Sequence, residues 1–135
     1  MKSNRTPFII SWTCQLVAAG ILAQTLFFKF SGAPESVYIF SKLGIEPWGR
    51  WGSGVAELVT AILLVIPATS AWGAFFALGI MGGAILSHLA ILGIVIQDDA
   101  GLLFGLACLV AVTSAIVLVI QRDRFQPWQI LRSKI

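Results

Sequence analysis

The sequence has little charge and few of the side chains from which a water-soluble surface or a catalytic centre is usually built. Only 11% of the 135 residues are charged, and there are one histidine, one tyrosine and two cysteines. A chain that is 58% hydrophobic has too few polar residues to cover a water-exposed surface. These shortages exclude an ordinary soluble enzyme and favour a single domain embedded in a lipid bilayer.

The scarcity of cysteine and histidine also excludes the common metal and disulfide frameworks. Cys14 and Cys108 lie in separate apolar runs, and neither belongs to a CxxC pair. His88 is alone, and a bis-histidine haem site would need a second chain, so haem is not favoured and no metal site is expected. A quinone is the cofactor that the polar residues discussed below would suit.

The basic residues are concentrated at the two ends of the chain, which explains the formal net charge of +3. Basic ends beside apolar helices are attracted by anionic lipid headgroups, and no basic and aromatic surface suited to stacking bases is visible. We therefore expect the partner of this surface to be lipid and not nucleic acid.

Long apolar runs dominate the rest of the sequence. A membrane-spanning helix needs about 20 apolar residues, and slightly shorter runs suffice where the flanking residues reach the interface. The runs at approximately 8–28, 50–66, 72–96 and 101–120 meet this requirement. The predicted fold is therefore all-α: an integral membrane four-helix bundle forming a single transmembrane domain over residues 1–135.

The segment between the first two runs predicts a short interfacial helix over residues 34–44. Pro34 suits the first turn of a helix, Glu35 favours its N-terminal dipole, Lys42 favours its C-terminal end and Gly44 suits the residue after it. We expect this helix to lie at the membrane interface or to fold over the mouth of the bundle.

The distribution of Lys and Arg predicts the orientation in the membrane. Four spans place both termini on one side, together with the six basic residues Lys2, Arg5, Arg122, Arg124, Arg132 and Lys134. The opposite side holds Lys29, Lys42 and Arg50, and tryptophans lie near both interfaces. The positive-inside rule then places both termini in the cytoplasm, and a bacterial inner membrane suits a chain without internal targeting signals.

Glu57 and His88 are ionisable residues within the predicted spans and are the first candidates for a site. Each costs about 2.5–3.5 kcal/mol at a helix centre on insertion scales, so each needs a partner or a water-lined cavity. Counting about 1.5 Å per residue places both roughly 10–12 Å from one face. The same count brings Gln24 and Cys108 to this level and Lys29 to the mouth.

Two interpretations of these residues remain open. Glu57 and His88 either form a hydrogen bond that fixes helix packing or handle protons at a quinone or along a translocation path. Arg50 is either an interfacial anchor or the counter-ion of Glu57. The candidate ligand or proton site therefore comprises Glu57, His88, Gln24, Lys29, Arg50 and Cys108, without an assigned catalytic residue.

The order of several short motifs resembles the DoxX family of small four-span membrane proteins. The resemblance extends from the first to the fourth span and rests on Phe28-Lys29-Phe30-Ser31-Gly32, the segment 34–44, Pro47-Trp48-Gly49-Arg50, Gly54-Val55-Ala56-Glu57-Leu58 and Ser87-His88-Leu89. It implies a four-helix membrane fold and an association with redox chemistry, since some relatives are membrane subunits of a thiosulfate:quinone oxidoreductase. No electron-carrier motif accompanies it, so the resemblance leaves open whether the chain is an enzyme.

Three functions follow from these observations. The first is a membrane subunit of a quinone-linked redox complex, with an intramembrane Glu/His site and a redox-enzyme partner. The second is a non-enzymatic membrane scaffold or assembly partner. The third is a small transporter or proton path, which is usually a homo-oligomer because four short helices enclose little volume.

Overall fold

The computed structural model describes residues 5–124 and residue 133, and all of its regular structure within these residues is helical. Five α-helices follow one another: α1 (Arg5–Phe30), α2 (Pro34–Lys42), α3 (Trp48–Val65), α4 (Ser70–Ser87) and α5 (Leu102–Ile120). The all-α prediction is confirmed. Lys2, Trp128, Arg132 and Lys134, and the side chain of Arg124, lie outside the described residues.

Three helices are long and apolar enough to cross a membrane, namely α1, α5 and the helix formed by α4 together with the turn that extends it to Leu92. These three helices indicate a membrane protein. The fourth long helix, α3, is less apolar because it contains Arg50 and Glu57. The helix in the third apolar run ends at Leu92 and not at Ile96, because Gly93 adopts a φ of 81° that stops it.

The four long helices pack in a ring, in which α1 and α4 each contact α3 and α5. The centre of the ring is built largely from small or branched residues, and Ala18, Ala74, Leu64 and Val110 are fully buried there. Small side chains let helix backbones approach closely when no water is available to drive them together. The result is a narrow bundle with most of its large apolar side chains on the outside.

Helix α2 lies across one end of this ring, which we call the α2 end. It contacts α1, α3 and the turn after α4. Pro34 stands at its start, Glu35 in its first turn and Lys42 in its last turn. The loop turns away at Gly44, whose φ is 76°. A helix is therefore present within the segment 34–44, and it covers the mouth between α1 and α3.

Candidate functional site

A cavity of about 490 Å³ opens beneath α2. This volume is within the range of small-molecule sites, which are commonly about 300–1,000 Å³. Most of its wall is apolar. Its polar lining comes from six parts of the chain and comprises Gln24, Thr25, Lys29, Glu35, Ser36, Ser53, Glu57, Ser87, His88 and Asp99.

The ion pair between Lys29 and Glu57 is the central polar feature of the cavity. Lys29 Nζ lies 2.5 Å from Glu57 Oε1, and Thr25 Oγ1 lies 3.0 Å from Glu57 Oε2. The side chains of Lys29 and Glu57 are 14% and 4% exposed. Because both carboxylate oxygens have a partner, Glu57 can remain charged at a depth where an unpaired carboxylate would be costly.

Arg50 is held by different partners at the edge of the site. Its guanidinium pairs with Glu46, with Nε–Oε1 and Nη2–Oε1 distances of 2.9 and 2.8 Å. It also donates to the backbone carbonyl of Lys29 at the end of α1. A cation at the C-terminus of a helix satisfies carbonyls that have no partner in the helix. Arg50 thus fixes the backbone from which the Lys29 side chain reaches Glu57.

His88 lies on the opposite wall, at the point where α4 changes into a π-helical turn (His88–Leu92). Its Nδ1 is 2.8 Å from the carbonyl oxygen of Gly93. Since a carbonyl only accepts hydrogen bonds, Nδ1 carries a proton, and the lone pair is on Nε2 whenever the ring is neutral. Within the described structure no side chain or backbone group bonds Nε2, so it remains for a ligand.

Asp99 lies beside His88 in the loop before α5. Oδ1 accepts hydrogen bonds from the backbone N–H groups of Ile96 and Gly101 at 2.9 and 2.8 Å, and Oδ2 accepts one from Leu103 at 3.1 Å. Burial alone would raise the pKa of Asp99. The three backbone hydrogen bonds and the charge of His88 outweigh this and lower the pKa below its usual value.

The loop that carries Asp99 has an unusual backbone conformation. Gln97, Asp98 and Ala100 have φ values of 45°, 65° and 56°, a region that side chains other than glycine rarely adopt. Such conformations persist only where surrounding contacts hold them, and they are common at binding sites. The Asp99 carboxylate supplies these contacts by binding both sides of the loop.

Four of the six residues that the sequence analysis proposed for the site line the cavity. Lys29, Glu57, Gln24 and His88 line the cavity, Arg50 stands behind Lys29, and Cys108 is half-buried and does not line it. Glu57 and His88 share the cavity, and the direct partners of Glu57 are Lys29 and Thr25. Arg50 pairs with Glu46 and donates to the Lys29 carbonyl, so it anchors the C-terminal end of α1.

Thr25, Glu35, Ser36 and Asp99 also face the cavity, although the sequence did not single them out as site residues. Thr25 lies one turn before Lys29 on α1, so helical spacing from Lys29 could have found it. Asp99 lies in a polar loop between two apolar runs, and such loops are usually solvated turns. In the part of the chain that the structure describes, no group of three or more His, Cys, Asp or Glu side chains could hold a metal ion.

Comparison with known proteins identifies no significantly similar protein. No family model matches the chain, and no curated protein or solved structure is significantly similar to it. The resemblance to the DoxX family therefore stays a prediction, and the functional argument depends on the site alone.

Proposed function

We propose that the chain is a four-span membrane protein of the DoxX type that binds the headgroup of a membrane-dissolved quinone in the cavity at the α2 end. The redox centre would belong to a partner subunit, because the sequence contains no electron-carrier motif. The observation that carries the proposal is the cavity itself, in which a buried Lys–Glu pair faces a histidine with a free Nε2.

The distribution of side chains on α3 supports the fourth span. Its buried face includes Arg50, Glu57 and Thr60, while Val55, Leu58, Val59 and Ile62 are at least 42% exposed. This is the reverse of a helix in a water-soluble bundle, which turns its apolar face inward. An exposed apolar face and a paired, buried polar face are what a helix surrounded by lipid requires.

The position of α1 and α5 supports the proposed orientation. Gln121 Nε2 donates to Ser11 Oγ at 2.8 Å, so the start of α1 and the end of α5 lie together. Arg5 and Arg122 therefore flank the same end of the bundle. The positive-inside rule assigns this end to the cytoplasm and the α2 end, with the interfacial α2, to the outer face of a bacterial inner membrane.

The chemistry of the cavity suits a quinone and its quinol. A quinol loses two protons and two electrons when it is oxidised, and it needs nearby groups that accept hydrogen bonds from its hydroxyls. His88 Nε2 is such an acceptor when the ring is neutral and its proton is on Nδ1. The Lys29 ammonium has three N–H groups and one bond to Glu57, so it can also donate to a carbonyl oxygen of the oxidised form.

The path into the cavity also favours a lipid-soluble ligand. Gln24 and Phe28 line the cavity and are nevertheless exposed on the side of α1. Gln24 lies six residues before Phe30, the last residue of α1. It is therefore about 9 Å deeper in the bundle than Phe30, measured along the helix axis. An opening at that depth admits molecules from the acyl-chain region, as a quinone with an isoprenoid tail requires.

The proposal is tested by measuring binding of short-chain ubiquinone and menaquinone analogues to the full chain in lipid nanodiscs. Ala84→Leu should weaken binding at least ten-fold because Ala84 lines the cavity. His88→Gln should weaken it by removing the Nε2 base. Ala56→Leu is the matched control, since the same change falls on the exposed face of α3.

The outcomes separate the proposed functions. Absence of quinone binding by the wild-type chain, or equal binding by the Ala84→Leu variant, would overturn the proposal. Proton or solute flux in liposomes that is independent of quinone would favour the transporter, and a co-purified enzyme that binds equally well after Ala84→Leu and His88→Gln would favour the scaffold.

A further inference from the structure

The end of the bundle opposite α2, which we call the far end, holds a network of uncharged polar side chains. Ser11 Oγ accepts hydrogen bonds from Gln15 Nε2 and Gln121 Nε2, both at 2.8 Å. Ser70 Oγ donates to Gln121 Oε1 at 2.5 Å. The network joins α1, the start of α4 and the residue after α5, and no charged group takes part in these bonds.

Within residues 5–124, two atoms beside this network are buried without a hydrogen-bond partner from the protein. They are Gln15 Oε1 and Ser114 Oγ, on residues that are 1% and 0% exposed. A buried polar atom without a hydrogen bond costs about 1–3 kcal/mol. Ordered water is the usual partner of such atoms in protein interiors.

The helix geometry brings Gln15 and Ser114 to neighbouring levels. Ser11 and Gln121 are in contact, and α1 and α5 are antiparallel. Counting forward from Ser11 and backward from Gln121 therefore leads into the bundle from the same end. Gln15 is four residues from Ser11 and Ser114 is seven from Gln121, which places them about 6 and 10 Å into the bundle. Steps of four and seven residues keep each side chain on the same helix face as its starting residue.

We propose that a water molecule is bound between α1 and α5 at the far end, where it forms hydrogen bonds with Gln15 Oε1 and Ser114 Oγ. The water donates one hydrogen to the amide oxygen, which can only accept, and its second contact is the Ser114 hydroxyl, which can accept or donate. Two polar partners are the minimum with which buried water is usually held.

This site brings water close to the cavity at the α2 end. Val110 lines that cavity, and Ser114 is one helical turn further along α5, a distance of about 6 Å. On α1, Leu22 lines the cavity and Ala18, which is fully buried, separates it from Gln15. One apolar layer therefore divides two polar regions of the bundle interior.

Water-edited solid-state NMR of the full chain in lipid bilayers tests the proposal without any quinone. The Gln15 side-chain amide should receive magnetisation from water rapidly. The transfer should be several-fold faster than to the methyl groups of Leu64, which is fully buried in the apolar core. Transfer to Gln15 as slow as to Leu64 would overturn the proposal.

A pair of variants on α5 makes the test specific to the site. Ser114→Ala removes one water ligand and should slow transfer to Gln15 several-fold, while circular dichroism and gel filtration report whether the bundle is intact. Thr113→Val is the control, because the Thr113 hydroxyl already has the Leu109 carbonyl as a partner at 2.9 Å. No effect of Ser114→Ala, or an equal effect of Thr113→Val, would contradict water binding at Ser114.

Discussion

The two ends of the bundle hold their buried polar side chains in different ways. At the α2 end, the Lys29–Glu57 ion pair and the Asp99 carboxylate line an open cavity. At the far end, serine hydroxyls and glutamine amides bond one another across closely packed helices. Charged side chains are costly in a bilayer, and those that occur there usually belong to functional sites. Hydrogen bonds between neutral side chains are ordinary packing contacts there. This difference supports our proposal that the α2 end binds a ligand, whereas the polar contacts at the far end hold the helices together.

The largest expected difference between the two ends comes from breaking the ion pair. Lys29→Met leaves the Glu57 carboxylate, only 4% exposed, without its cation. Removing one member of a buried pair costs about 3 kcal/mol or more. We expect a loss of this size in the free energy of unfolding, measured by denaturant titration in mixed micelles. Ser70→Ala at the far end removes a neutral hydrogen bond and should cost only about 1 kcal/mol.

A double substitution separates the loss of the pair from the loss of packing. Lys29→Met combined with Glu57→Leu removes both charges and should restore most of the stability, because an apolar pair of similar volume needs no desolvation. Quinone binding should not return in this variant. Equal losses of stability for Lys29→Met and Ser70→Ala would remove the distinction between a charged and a neutral end.

The next effect concerns packing at the far end. A Cβ on Gly73 would lie 2.7 Å from the backbone nitrogen of Leu64 and 2.9 Å from the carbonyl carbon of Leu63. Backbone atoms cannot rotate away, so α3 and α4 must move apart. Gly73→Ala should therefore destabilise the protein by about 2 kcal/mol, the usual range for overpacking, in the same titration.

Gly79→Ala on the same helix is the matched control for Gly73→Ala. A Cβ at Gly79 meets no atom within 4 Å, and alanine favours the helix by up to about 1 kcal/mol. This variant should be as stable as the wild type or more so. If both glycine variants behave alike, the close contact between α3 and α4 does not hold the far end together.

The sequence predicted the helices well and the pairing of charges less well. Apolar runs and the Pro34 and Gly44 signals placed five helices because helix formation depends on local patterns. The partner of Glu57 depends on which helix lies beside α3, and sequence spacing does not supply that. A lysine near a helix end is expected to extend towards water, but Lys29 turns inward and pairs with Glu57.

The orientation of His88 and the far-end network could not be predicted from the sequence either. His88 was identified because its side chain is ionisable, but its orientation comes from the π turn and from Gly93, whose carbonyl accepts a hydrogen bond from Nδ1. An irregular turn leaves no clear periodic signal in a run of apolar residues. The far-end network was missed because serine and glutamine are common in helices and carry no charge to mark them.

The smallest of the expected effects concerns pH and Asp99. Because the pKa of Asp99 is lowered in the folded protein, its carboxylate stabilises the fold above the ordinary aspartate pKa of about 3.9, and this contribution is lost as the pH falls through the folded value. Asp99→Asn keeps one acceptor oxygen but loses the charge at the start of α5. It should cost about 1 kcal/mol at neutral pH, as the loss of a helix cap does.

The pH dependence distinguishes this effect from any other loss of a hydrogen bond. The difference in melting temperature between the wild type and Asp99→Asn should shrink as the pH is lowered below about 4, because the wild-type carboxylate is then protonated too. Ser70→Ala has no titrating group at its site, so its difference from the wild type should stay constant over the same range. A constant difference for Asp99→Asn would show that the carboxylate charge does not stabilise the loop. The contrast between charged side chains inside the α2 end and neutral ones inside the far end would then rest on Lys29 and Glu57 alone.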